Sequence, residues 1–197
     1  MQHNGFEYVD LGLSVNWATC NVGANDVHDR GLFFAFGATI GFTSNDVINR
    51  KIPFEGSYEL HGIAKRYESE LASEIHSLPS DADAASIYMG GDWRMPTKED
   101  FEELASGVII SPLVLDGVHG LLLKSKVNDA ELFFVKSGYI DRTKRYAYGD
   151  DVYRSSSSLH KKGIAHYFIM CDWSDNRDCV NHFFNHYMFP IRGIIKG

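Results

Sequence analysis

The side chains best suited to chemistry lie together between residues 172 and 187. This segment, the binding ribbon, mixes aromatic rings with Asn, Asp, Ser, His and Arg, which is the composition of an antibody paratope. Rings provide rigid contact area, and short polar groups provide adaptable hydrogen bonds. We therefore predict a ligand-binding surface, and the alternative is a hairpin whose alternate residues face water. The predicted contact residues are Asp172, Trp173, Ser174, Asp175, Asn176, Arg177, His182, Phe184, Asn185, His186 and Tyr187.

Two histidines of the ribbon, His182 and His186, have the spacing that places metal ligands on one face of a helix. The residues around them predict a strand instead, in which ligands four residues apart are separated by about 13 Å. That distance is too long for both imidazoles to bind one ion. We therefore expect surface histidines, no metal ion and no other cofactor.

A run of serines from Ser155 to Ser158 offers hydroxyl nucleophiles, but its surroundings predict no catalytic set. A serine nucleophile needs a base and an orienting acid, and in many hydrolases it lies in a Gly-x-Ser-x-Gly turn. Neither feature accompanies these serines. Since every candidate set lacks a partner, we predict that the chain is not an enzyme.

The three cysteines leave open whether one disulfide forms. Cys171 and Cys179 flank a polar turn and could face each other across a hairpin, which would leave Cys20 as a lone, buried thiol. A domain of this size does not need a disulfide for stability, so the free state of the pair stays open as well.

The best-specified element is a helix from Thr97 to Ser106. Thr97 is a good N-cap, and Asp100 stands where a capping box places its acidic partner. Pro96 prevents helix before the cap, and Gly107 is expected to end the helix as its C-cap. Apolar residues recur at helical spacing at Phe101, Leu104 and Ala105.

Short strands are predicted for most of the remaining chain. Residues 120–126 and 131–135 form a predicted hairpin around the turn 127–130. A helix is expected within 64–75, and residues 78–85 are expected to form a loop. The other predicted strands or extended segments cover 8–15, 17–22, 31–36, 138–141, 151–157, 164–172, 179–188 and 189–195.

The three tryptophans are assigned two different roles. Trp17 and Trp93 are expected to be core anchors. Trp173 and Tyr187 belong to the binding ribbon and are expected to anchor a ligand.

Composition limits the class of partner. The chain has 197 residues, 44% of them hydrophobic, which is enough for one domain over 1–197 with its own core. A net charge of −7 disfavours a surface that follows phosphates, so we expect no nucleic-acid partner. No apolar run is long enough to cross a bilayer. Residues 1–5 are polar and show no signal peptide. We therefore expect either that the chain is made without a leader or that a leader has been removed from it.

Two motifs resemble known ones. The stretch 90–104, GGDWRMPTKEDFEEL, is similar to the signature of proteins with the C-type-lectin-like fold, among them formylglycine-generating enzymes and the variable proteins of diversity-generating retroelements. The stretch 7–24, EYVDLGLSVNWATCNVGA, is similar to the opening of the Fibrobacter-type major paralogous domain of Bacteroidetes and their phages. Arg154 stands where that family usually carries an aromatic residue. Weaker matches follow at 31–37, 153–158 and 189–193.

The resemblance implies an α+β domain of C-type-lectin-like fold, with a twisted antiparallel sheet, one or two helices and long irregular loops. It places the serines of 155–158 in a core strand, and it places the binding ribbon in the region that diversified relatives vary. Trp173 to Asp175 loosely resembles the Trp-Asn-Asp of calcium-dependent lectins. Because no second acidic loop accompanies it, we expect no calcium ion.

The implied function is non-enzymatic recognition of a cell-surface protein or glycan through the binding ribbon. The chain would act as an adhesin or receptor-binding domain, as a retroelement-diversified variable protein or as a phage tail-fibre tip. Its place would be extracellular, on a cell surface or on a virion. Two alternatives stay open. An oxidase similar to formylglycine-generating enzymes would hold copper with Cys171 and Cys179, and a structural surface or virion subunit would bury the ribbon in a homo-oligomer.

Overall fold

The computed structural model describes residues 1–48, 76–141, 144–146, 151–161, 164–170, 180–184 and 186–197. Within these residues, short strands predominate over helices. The helices are α1 (Ser44–Ile48), α2 (Ala84–Met89) and α3 (Lys98–Gly107). The strands are β1 (Gln2–His3), β2 (Phe6–Val9), β3 (Val15–Asn21), β4 (Phe33–Phe34), β5 (Val108–Leu115), β6 (Val118–Ser125), β7 (Glu131–Val135), β8 (Tyr139–Asp141), β9 (Lys144–Tyr146), β10 (Val152–Lys161), β11 (Ile164–Met170), β12 (Val180–Phe184), β13 (Phe189–Pro190) and β14 (Arg192–Lys196).

The named strands all pair antiparallel. They form sheets with the orders β1-β2-β3-β14, β5-β6-β7 and β10-β11-β12, and the pairs β4-β13 and β8-β9. A mixed architecture with mostly antiparallel sheets and few helices is compatible with the α+β class that the sequence predicts. The structure shows no helix long and apolar enough to cross a membrane within the described ranges.

Helix α3 confirms the predicted capping box. The Thr97 hydroxyl accepts from the Asp100 amide at 3.2 Å, and the Asp100 carboxylate accepts from the Thr97 amide at 2.7 Å. The predicted C-cap at Gly107 is wrong, because Gly107 is still helical and Val108 follows in extended conformation as the first residue of β5. A β-carbon at position 107 would meet the end of the Leu13 side chain, which would have to shift to accommodate it.

Both predicted core anchors are fully buried. Trp17 packs against Phe101 at a ring distance of 5.4 Å, and Phe101 stacks on Phe168 at 4.6 Å. Helix α3 is therefore fixed between the sheet of β3 and the sheet of β11. Trp93 lies near Tyr8, and its indole Nε1 donates to the carbonyl of His3 at 3.1 Å.

Two arginines are also completely buried. The guanidinium carbons of Arg154 and Arg192 lie over the Phe134 ring, 4.9 and 4.7 Å from its centre. Arg154 donates to the Ser137 hydroxyl at 3.0 Å and to the carbonyl of Val135 at 3.2 Å. Position 154 thus places a guanidinium against an aromatic ring inside the core.

Several predicted strand boundaries are corrected. The strand expected over 8–15 is interrupted between β2 and β3, where Gly12 has a positive φ of 71°. The hairpin over 120–126 and 131–135 is confirmed as β6 and β7. A second hairpin, β5 with β6, was not predicted, although Asp116 and Gly117 form its turn with φ of 48° and 81°.

Four further predictions concern the helices and the cysteines. The loop expected over 78–85 is partly wrong, because Asp83 caps helix α2, which begins at Ala84. The helix expected within 64–75 lies outside the described residues. Cys20 is free as expected but only partly buried. Cys171 and Cys179 both lie outside the described part of the chain.

Candidate functional site

The structure describes four of the predicted ribbon residues. His182 and Phe184 lie in β12, and His186 and Tyr187 follow it. The other predicted contact residues lie outside the described ranges: Asp172, Trp173, Ser174, Asp175, Asn176, Arg177 and Asn185.

The sequence predicts one continuous strand over 179–188, and this prediction is wrong. Strand β12 ends at Phe184, whose carbonyl accepts a hydrogen bond from the Tyr187 amide at 3.0 Å and closes a turn. Met188 then forms a bridge with Ile140 of β8, with hydrogen bonds of 3.0 and 2.9 Å. The turn therefore brings the end of the ribbon beside the β8–β9 hairpin.

Aromatic rings from these two segments form one contiguous surface, which we call the aromatic platform: Tyr139, Tyr146, Phe184, His186 and Tyr187. Tyr139 and Tyr146 are cross-strand partners and stack at 5.3 Å with 15° between planes. His186 stacks on Phe184 at 5.6 Å and on Tyr187 at 4.6 Å. The two stacks meet where Tyr139 and Tyr187 lie edge to face at 5.6 Å.

The outer rings of the platform are exposed, and its inner rings pack against the core. Phe184 is 56% exposed and Tyr146 39% exposed, whereas the rings between them are partly buried. Tyr139 lies 5.8 Å from the buried Phe189, which stacks on the buried Tyr167 at 5.0 Å. Rings that are packed on one side lose little conformational freedom on binding, so they are suitable ligand anchors.

Polar groups lie among these rings. The Asp141 carboxylate is 3.5 Å from Nε2 of His186. Lys144 is the cross-strand partner of Asp141, as Tyr146 is of Tyr139, so all four project from the same face of the hairpin. Partial burial raises the pKa of Tyr139, and the nearby Tyr187, Tyr146 and Asp141 raise it further. The Tyr139 phenol is therefore a neutral hydrogen-bonding group at physiological pH.

A second cluster consists of three histidines on neighbouring strands. His160 stacks on His182 at 4.4 Å and lies 5.1 Å from His166, which is the cross-strand partner of His182. Burial lowers the pKa of His166, and His160, Lys98 and His182 lower it further, while Glu99 opposes them. Among the described residues, no group of three or more His, Cys, Asp or Glu side chains is arranged to hold a metal ion.

The described serines of the 155–158 run make structural hydrogen bonds. Ser157 donates from its amide to the Pro96 carbonyl at 2.8 Å, and the Ser158 hydroxyl donates to the carbonyl of His76 at 2.6 Å. Ser158 also accepts from the Lys98 amide at 2.9 Å. These contacts fix strand β10 to the start of helix α3.

Sequence reasoning did not find the hairpin half of the platform. Tyr139 and Tyr146 lie in strands of three residues, which are too short to give a clear periodic pattern. A signal was present in the order Tyr-x-Asp at 139–141, which is reversed in character as Lys-x-Tyr at 144–146. It would have placed Tyr139, Asp141, Lys144 and Tyr146 on one face of a hairpin.

Comparison of the chain with protein-family models, with curated proteins and with solved structures finds no significant match. The resemblance in the two sequence motifs stays a prediction, and the function is inferred below from the aromatic platform.

Proposed function

We propose that this chain is a non-enzymatic binding module that recognises a cell-surface protein or glycan through the aromatic platform and the rest of the binding ribbon. One observation carries the proposal. Rings from two separate segments form a contiguous surface whose outermost members, Phe184 and Tyr146, are exposed. Contiguous exposed aromatic surface with polar groups beside it is typical of binding sites.

The physical basis is the burial of these outer rings against a ligand. An aromatic side chain that becomes buried at the centre of an interface often costs about 2 kcal/mol or more of binding when it is truncated. The inner rings reduce the entropic cost, because they already hold Phe184 and Tyr146 in position. Asp141, His186 and Lys144 then supply hydrogen bonds that select the ligand.

The C-type-lectin-like fold and the single domain are part of the proposal. The GGDWRMPT motif supports them, since its tryptophan is buried and its Thr97 begins a capped helix that packs on antiparallel strands. We place the module outside the cell, on a cell surface or on a virion. An adhesin, a receptor-binding domain, a retroelement-diversified variable protein or a phage tail-fibre tip would each use such a platform.

A structural subunit is the second candidate, because an exposed aromatic surface also fits a contact between copies of the chain. Sedimentation velocity separates the two candidates. The binding module remains a monomer or exposes the platform in its oligomer, whereas a structural subunit forms an oligomer that Phe184→Ala dissociates.

The proposal is tested by a screen of cell-surface proteins and glycans, followed by affinity measurement with variants. Phe184→Ala and Tyr146→Ala are each expected to weaken binding of the selected ligand by about 2 kcal/mol or roughly 30-fold. Ile109→Ala is the matched control, because Ile109 is 57% exposed but lies in β5. Equal affinity for the parent and both platform variants would contradict the proposal.

A further inference from the structure

The side chains on one face of the β8–β9 hairpin favour one class of ligand. We infer that the aromatic platform binds an oligosaccharide, with sugar rings stacked on Tyr146 and Phe184 and sugar hydroxyls hydrogen-bonded to Asp141 and Lys144. This inference rests on the proposed function and specifies the ligand of the same site.

The ring geometry suits the apolar faces of sugars. The face of an aromatic ring carries partial negative charge, so it attracts the weakly positive C–H groups that cover one side of a pyranose. The ends of the two stacks, Tyr146 and Phe184, are the most exposed rings of the platform. Their separation by the intervening rings of Tyr139 and Tyr187 favours a ligand with more than one sugar unit.

The polar groups suit the hydroxyls. Each sugar hydroxyl both donates and accepts, so its site needs acceptors and donors on the same face as the rings. Asp141 provides carboxylate acceptors, and Lys144, its cross-strand partner, provides ammonium donors. Oδ1 of Asp141 is buried and lies 3.5 Å from Nε2 of His186. The Asp141 side chain as a whole is still 22% exposed, so part of it remains accessible to a ligand beside the rings.

The position of the charges favours a glycan over a protein surface. The centre of a protein interface is depleted of charged residues, because a buried charge must be desolvated. Here the Asp141 carboxylate lies 3.5 Å from Nε2 of His186, one of the platform rings, and its side chain is only 22% exposed. A hydroxyl-rich ligand compensates that charge with hydrogen bonds, whereas an apolar protein patch leaves it uncompensated.

The experiment begins with a glycan array probed with the parent chain, followed by calorimetric titration of the best-bound oligosaccharide. Tyr146→Ala and Phe184→Ala are each expected to weaken binding about tenfold or more. Tyr146→Phe keeps the ring and is expected to stay within about threefold of the parent. Asp141→Asn, which removes the charge-assisted acceptor, is expected to weaken binding about tenfold. Ile109→Ala serves as the exposed control and binds like the parent.

Cell binding separates failure of this inference from failure of the proposed function. Enzymatic removal of surface glycans is expected to abolish binding of the parent. If deglycosylated cells bind the parent fully while Phe184→Ala does not bind, the ligand is a protein and the inference is wrong. If Phe184→Ala and Tyr146→Ala bind treated and untreated cells like the parent, the proposed function fails as well.

Discussion

Tyr139 and Tyr187 meet edge to face, with their ring centres 5.6 Å apart and their planes at 77°. This contact joins the β8–β9 hairpin to the turn that follows β12. It is reinforced by the backbone bridge between Ile140 and Met188, the residues directly after each tyrosine. The two halves of the aromatic platform are therefore held together by side chains and backbone at one place.

The contact predicts an energetic coupling between the two tyrosines. In a double-mutant cycle of Tyr139→Leu and Tyr187→Leu, we expect a coupling of about 0.5–1.5 kcal/mol in the free energy of unfolding. Urea denaturation of the parent, both single variants and the double variant provides the measurement. A cycle of Tyr139→Leu with Trp17→Leu is the control, and it should be additive because no ring contact joins that pair among the described residues. Strict additivity in the tyrosine cycle would show that the halves are independent.

The buried tryptophans predict a clear division between scaffold and site. Trp93→Ala is expected to cost about 3–5 kcal/mol of stability, because it removes a fully buried indole and leaves a cavity. Chemical denaturation measures this loss of stability. A Trp93→Ala variant that no longer folds would show the largest loss expected. Phe184→Ala should change the free energy of unfolding by less than about 1 kcal/mol. A Trp93→Ala variant as stable as the parent would contradict the assigned core.

The capping box predicts a smaller effect at helix α3. Thr97→Ala removes the acceptor for the Asp100 amide and is expected to cost about 0.5–2 kcal/mol. The control is Glu102→Ala, which breaks only an exposed ion pair with Lys98 at 3.4 Å and should cost about 0.5 kcal/mol or less. Thermal and urea unfolding of the three proteins rank them. If Glu102→Ala proves the more damaging change, the capping argument is wrong.

The histidine cluster predicts loss of stability in mild acid. Because the pKa of His166 is lower in the folded chain than its ordinary value of 6.5, the unfolded chain binds more protons as the pH falls through that value. The free energy of unfolding should therefore decrease as the pH falls below about 6.5, until His166 is protonated in the folded state too. His160 and His182 from the sheet and Lys98 from α3 add to the effect of burial on the pKa of His166, and Glu99 partly offsets them.

Urea denaturation between pH 7.5 and pH 5 tests this dependence. His166→Gln should flatten the decrease, because the group with the lowered pKa is absent. His119→Gln, in β6, is the matched control and should keep the slope of the parent. The account is contradicted if His166→Gln leaves the pH dependence of the unfolding free energy unchanged.

Local signals explain which parts of the fold could be predicted. The start of α3 depends on Thr97 and Asp100, three residues apart, so the sequence alone specifies it. The β5–β6 hairpin has an equally local signal in Asp116 and Gly117, and it could have been predicted. The end of α3 has no such local signal, because Gly107 is still helical and the helix ends where Val108 pairs with Ser125 of β6.

Non-local contacts explain why half of the platform was missed. The composition of the ribbon indicated Phe184, His186 and Tyr187 as binding residues, because they lie within one short segment. Tyr139 and Tyr146 join them only because Met188 bridges to Ile140, and no pattern in the ribbon specifies that bridge. The buried Arg154 is a similar case, since its place over Phe134 follows from the packing of β10 against β7.

The most direct test of the binding platform is hydroxyl-radical footprinting of the chain with and without the ligand that the screen selects. Oxidation is read residue by residue by mass spectrometry, with Ile109 as an exposed reference outside the site. We predict that ligand lowers oxidation of Phe184 and Tyr146 several-fold and leaves Ile109 unchanged. Saturating ligand that leaves both Phe184 and Tyr146 as reactive as in the free chain would contradict the assignment of the site.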